Sequence, residues 1–189
     1  GMWNKTYTRT IGPYSTCGSR SIVNDISVLG GADKILTSDR VTVSASAACS
    51  VGCTLTIGYW KNHAGFGPQA DMLTRLLPIN LGTNGGAKTL VIDTASKAVD
   101  VISKQVYGTS SNGITKLYAQ LLAAKLNVAS GASASSIAST ISAADVFLAT
   151  TNYMTWSSLS KTQQSQVLKW HDTLDRYNNG LLTVPHCSE

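Results

Sequence analysis

From Ile114 to Leu126 the apolar side chains fall at Ile114, Leu117, Tyr118, Leu121, Leu122 and Leu126, the three- and four-residue return of one helix face. This is the strongest helical signal in the chain. Asn112-Gly113 precedes it as a turn. Shorter stripes surround it. Pro68 suits a first helical position, and Met72, Leu73, Leu76 and Leu77 follow at amphipathic spacing until Pro78 stops them. Thr94 can cap a helix striped by Ala95, Ala98, Val99, Ile102 and Val106. Ile137, Ile141, Ala144, Phe147 and Leu148 mark a Ser/Ala-rich helix after the small-residue linker Ser130–Ser136. Ser160 and Gln163 form a capping box that opens a last helix with Val167, Trp170, Leu174 and Tyr177 on one face. Asn178-Asn179-Gly180 ends it with residues that tolerate left-handed backbone.

The front of the chain has a different period. Lys5–Ile11, Ser21–Leu29 and Val41–Ala47 are rich in Thr, Val and Ile and alternate, as strands do. Gly12-Pro13 and Gly30-Gly31 punctuate them. Leu55 and Ile57 alternate with Thr54 and Thr56 and read as a fourth strand, which Gly58 breaks. Leu81–Gly86 reads as a loop, and Leu90–Ile92 as a short extended piece. The pattern therefore predicts an α+β chain. A small antiparallel β-sheet over residues 1–57 precedes a helical domain of about five helices over 58–189.

Composition narrows the setting. Glu occurs once, at Glu189, and Ser and Thr far outnumber charged residues, which suits an extracellular surface. The net charge is +5, but no run of Lys or Arg forms a stripe for nucleic acid. A modest attraction to acidic surface polysaccharide is compatible with that charge. No segment has the roughly 18–20 consecutive apolar residues of a membrane span. The start lacks a signal-peptide core, so Gly1 reads as a tag or processing remnant and a secretion signal is expected to have been removed or to lie upstream. Cysteines stand at 17, 49, 53 and 187, an even number that permits three pairings. Their placement at the ends of the two regions favours Cys17–Cys49 and Cys53–Cys187 in an oxidising compartment.

Candidate chemistry is sparse. Tyr59, Trp60, Lys61, Asn62 and His63 form a dense aromatic and polar cluster that could line a ligand cleft or, through its aromatics, anchor the core. Cys49, Cys53, His63, His186 and Cys187 include zinc-type ligands, but their spacing matches no common finger and disulfides are the better reading. His171 and Asp175 are four apart on the last helix and could touch. Asp175, Asn178 and Asn179 offer oxygens without EF-hand spacing. No Gly-x-Ser-x-Gly elbow, Walker loop or dinucleotide fingerprint is present. No catalytic residue, metal or cofactor is assigned.

The segment from Cys53 to His63, Cys-Thr-Leu-Thr-Ile-Gly-Tyr-Trp-Lys-Asn-His, resembles the GYWKNH signature of uncharacterised secreted bacterial modules. Leu76–Lys88, Asn112–Asn127, Leu174–Gly180 and His186-Cys187 look like further segments of the same modules. The front is similar to the last strands of an immunoglobulin-like surface repeat. That resemblance implies an extracellular or cell-surface location and carries no activity. It also implies a partial sandwich, about four strands where such a domain has about seven. An open strand edge follows, and open edges recruit strands from other chains. The expected role is a non-catalytic structural or interaction module. Its expected partners are other protein chains, including copies of itself, joined through Lys5, Thr6, Tyr7, Thr8, Arg9, Thr10 and Ile11. An extracellular enzyme or glycan-binding domain built on Tyr59–His63 is the alternative.

Overall fold

The structure, a computed structural model, describes residues 18–29, 35–47 and 52–188. The chain divides into two compact units, Gly1–Ser50 and Val51–Glu189, so the division precedes the sequence-derived one at residue 57. It is a mixed α and β chain with two small antiparallel sheets, each of two strands among the described residues.

In the first unit, β1 (Gly18–Leu29) pairs antiparallel with β2 (Ile35–Ala47). The second strand begins well before the expected Val41, because backbone pairing carries through the polar stretch Ser38-Asp39-Arg40. The register sets Ile22 opposite Val43, Asn24 opposite Val41 and Val28 opposite Thr37. The intervening set pairs Ser21 with Ser44, Val23 with Thr42, Asp25 with Arg40 and Ser27 with Ser38. With a period of two, Ile22, Ile26, Val28, Val41 and Val43 share one alternating set with Asn24, Thr37 and Asp39, while the intervening pairs just named are polar apart from Val23. Arg40 donates to both carboxylate oxygens of Asp25, at 2.6 and 3.2 Å, across the ribbon. The expected strand Lys5–Ile11, together with Cys17 and Cys49, lies outside the described residues.

The second unit holds α1 (Ile57–Asn62), β3 (Ile79–Leu81), β4 (Leu90–Ile92), α2 (Ala95–Ser103), α3 (Gly113–Ala129), α4 (Ala138–Leu148) and α5 (Lys161–Asn178). Helix α3 is the axis of the core and packs against α2 and α5. Leu117, Leu121, Leu122 and Leu126 are fully buried, as are Ala123 and Ala124 on other sides of the same helix. A helix covered on nearly all sides needs apolar or partnered residues all round, which α3 has. Asn112 caps it, its side-chain oxygen accepting the N–H groups of Ile114 and Thr115. The capping box of α5 is complete in both directions between Ser160 and Gln163.

Three expectations are corrected. Thr54–Ile57 is not a strand: Thr54 makes a single parallel bridge with His186, and Thr56 caps α1 by accepting the Tyr59 N–H at 3.2 Å. A Thr followed by two helix-competent turns serves as a cap as readily as a strand residue. The helix expected after Pro68 is only a turn of 3-10 helix at Thr74–Leu76. There the N–H groups of Met72 and Leu73 turn back to the carbonyl of His63, and the Asp71 carboxylate takes the N–H groups of Leu73 and Thr74. Val106 does not extend the α2 stripe. The helix stops at Ser103 with Lys104 in left-handed backbone (φ 59°), and Val106 is exposed. The extended piece at Leu90–Ile92 does form, and its partner is Ile79–Leu81, which takes Leu81 out of the predicted loop.

The ends of this unit meet. Cys53 and Cys187 form a disulfide with Cα atoms 4.9 Å apart. Beside it, the Thr54 N–H donates to the Pro185 carbonyl (2.9 Å) and the Cys187 N–H to the Thr54 carbonyl (3.0 Å). Gly180 makes this approach possible. Its φ is +67°, and a Cβ there would lie 2.2 Å from the backbone nitrogen of His186.

Candidate functional site

The five residues of the aromatic cluster lie on α1 and its C-cap and diverge. At about 100° per residue, one and a half turns cannot aim consecutive side chains at one point. Trp60 is 1 % exposed and belongs to the core. Lys61 and Asn62 are exposed. Tyr59 and His63, one turn apart, stack with ring centroids 3.7 Å apart and are half-buried. The Nδ1 of His63 lies 2.9 Å from the Tyr59 carbonyl, which can only accept, so Nδ1 carries the proton in that contact. Tyr59 also meets the Trp60 ring edge-on. The helix is thus one buried anchor with a small stacked pair at its side, not a lined cleft.

What Trp60 reaches is a buried chain of amides that pattern reading missed. Its Nε1–H donates to Oδ1 of Asn127 at 3.1 Å, and the same oxygen accepts the Leu55 N–H at 3.0 Å. The Asn127 amide donates to the Leu55 carbonyl (2.9 Å) and to Oδ1 of Asn178 (3.0 Å). Asn178 donates onward to the carbonyl and Oε1 of Gln120. Gln120 ends the chain by donating to Oδ1 of Asp175 at 2.6 Å. Asn127, Asn178 and Gln120 are all buried, and each uses both its oxygen and its nitrogen. The network joins the segment entering α1 to α3 and α5. Its signal in the sequence is Gln120 and Asn127, two uncharged amides seven apart in a helix whose other residues between them are apolar except Lys125.

The other candidates separate. His171 Nδ1 meets Asp172 at 2.9 Å rather than Asp175, whose carboxylate is taken by Gln120 and Asn179. With Asn178 turned into the network, Asp175, Asn178 and Asn179 do not form an open cation site. His186 is exposed, with Nδ1 2.7 Å from the Cys187 carbonyl. The disulfide removes Cys53 and Cys187 from any thiolate site. Among the described residues, no group of three or more His, Cys, Asp or Glu is placed to hold a metal ion. A half-buried ion pair elsewhere is structural: Lys125 Nζ lies 2.7 Å from both oxygens of Asp145 and also meets the Asn80 carbonyl, while Asp145 accepts the Gly82 N–H. It ties α3 and α4 to the β3 turn.

The remaining candidate is the β1–β2 ribbon. It pairs 12 residues with 13, yet among the described residues neither strand has a third partner. Val23, Val28 and Val41 are exposed at 52, 50 and 45 %. A two-stranded ribbon is at best marginally stable in water by itself. Among the described residues no strand takes the backbone donors and acceptors of its outer edges, which is how an edge that accepts a further strand is built.

No helix among the described residues is long and apolar enough to cross a membrane. Set against protein-family models, curated proteins and solved structures, the chain gives no match.

Proposed function

We propose that this chain is a non-catalytic structural or interaction module of a bacterial surface or secreted protein, and that it assembles by β-strand addition. The observation that carries the reading is the long β1–β2 ribbon, unpaired at both outer edges among the described residues and with exposed valines. Such a ribbon suits a partial immunoglobulin-like sandwich completed by a strand from outside. The occupant proposed is the Lys5–Ile11 segment of a second copy. Main-chain hydrogen bonds would supply most of its affinity, as in other strand-addition complexes.

The extracellular assignment draws support from the Cys53–Cys187 disulfide, since such bonds persist in oxidising compartments. It also draws on the resemblance to secreted modules carrying GYWKNH. The burial of Trp60 favours a packing role for the signature over a glycan or catalytic cleft, because its ring and N–H are both committed inside the protein.

The test compares the intact chain, a variant lacking residues 1–11 and the double variant Val28→Lys/Val41→Lys by light scattering and electron microscopy. Assembly of the intact chain and its loss in both variants is the expected result. A strictly monomeric intact chain would refute strand addition. Assembly that survives the deletion but not the double variant would assign the incoming strand to another segment.

A further inference from the structure

We infer that the Cys53–Cys187 bond makes the helical unit a mechanically shielded insert, in which tension along the polypeptide crosses the disulfide and bypasses the helices. This stands on a different observation from the ribbon and does not depend on how the ribbon docks. The sequence separation of the two cysteines is 134, and α1 to α5 all lie inside the loop they close. Their Cα atoms are only 4.9 Å apart. A chain pulled from a residue before Cys53 and one after Cys187 therefore has a covalent path across the unit one disulfide long.

The surroundings hold that path in place. The Thr54 N–H donates to the Pro185 carbonyl and the Cys187 N–H to the Thr54 carbonyl, pinning entry and exit in one parallel register. Thr54 is fully buried, with its hydroxyl 3.4 Å from the Pro185 carbonyl. At Gly180 the absent side chain lets the His186 backbone pass against the end of α5. Helices and their amide network would otherwise yield under load, because hydrogen bonds and apolar contacts are weak singly and separate in sequence. With the load on the disulfide, the unit keeps its fold and its surface while residues outside the loop stretch. A surface protein that must present a folded unit under drag would gain from this arrangement.

Single-molecule pulling on the full chain, with handles fused to its two ends, tests the inference. The intact protein is expected to release only length belonging to residues outside 53–187. The Cys53→Ser/Cys187→Ser variant should release one additional step of roughly 440–480 Å, the contour of the opened loop at about 3.3–3.6 Å per residue. The intact protein held at constant force should show that same step once a reductant is added, which serves as the test should the double variant not fold. Release of the step by the intact, oxidised protein would overturn the inference. So would the absence of any step after reduction.

Discussion

Trp60 and Asn127 are joined inside the protein: the indole Nε1–H donates to the Asn127 side-chain oxygen at 3.1 Å, with both residues at most 1 % exposed. One amide thereby satisfies the largest aromatic of α1 and both backbone groups of Leu55, and passes a hydrogen bond on to Asn178. The signature segment is fastened to the last turn of α3 at this point. Packing by Trp60 and hydrogen bonding by Asn127 act on the same junction.

Replacing Asn127 by Leu should therefore cost about 3 kcal/mol or more, since several buried groups lose their partner and each such loss costs about 1–3 kcal/mol. Asn127→Asp, nearly the same shape, should also destabilise. It keeps the acceptor for Trp60 but sets an oxygen against the Leu55 carbonyl and Asn178 Oδ1. Urea unfolding of both variants measures this. An Asp variant as stable as the parent would mean that the donor half of the amide contributes nothing.

Leu121 is fully buried on α3, so Leu121→Ala is expected to lose about 2–5 kcal/mol. Val106→Ala, at a site 55 % exposed just beyond α2, should stay within about 0.5 kcal/mol. The contrast separates the true core from an apolar residue that the helical period alone would place there. Equal effects at the two sites would contradict the burial pattern.

Asp71 carries the pH prediction. Thr74, by its hydroxyl and its N–H, and then Leu73, by its N–H, hold the carboxyl below its ordinary value of 3.8. A lowered folded-state pKa means the folded state favours the charged form. Its contribution is therefore complete above about pH 4 and is lost as the pH falls through the folded-state value. Carboxyl-carbon NMR titration of Asp71 should give a midpoint below 3.8. In Asp71→Asn, melting temperature should depend less steeply on pH in that acid range. A midpoint at or above 3.8 would show that the turn after His63 does not select the carboxylate.

Much of the architecture was readable locally. The apolar return from Ile114 to Leu126, the Ser160–Gln163 box and the Asn178-Asn179-Gly180 stop all specify helices through contacts within a turn or two, so period and caps suffice for them. The strands at Ser21–Leu29 and Val41–Ala47 were legible for the same reason. The evenness and placement of the cysteines also pointed to Cys53–Cys187. Tertiary structure decided the rest. Whether Thr54–Ile57 extends a sheet or caps a helix depends on Pro185 and His186, far along the chain. Met72 and Leu73 have a helical pattern, but the His63 carbonyl and the Asp71 carboxylate take the N–H groups a helix would use. The roles of Gln120, Asn127 and Asn178 were invisible to periodicity, because a buried amide is worth having only where a partner on another element satisfies it. Only the folded chain brings α1, α3 and α5 close enough to supply those partners.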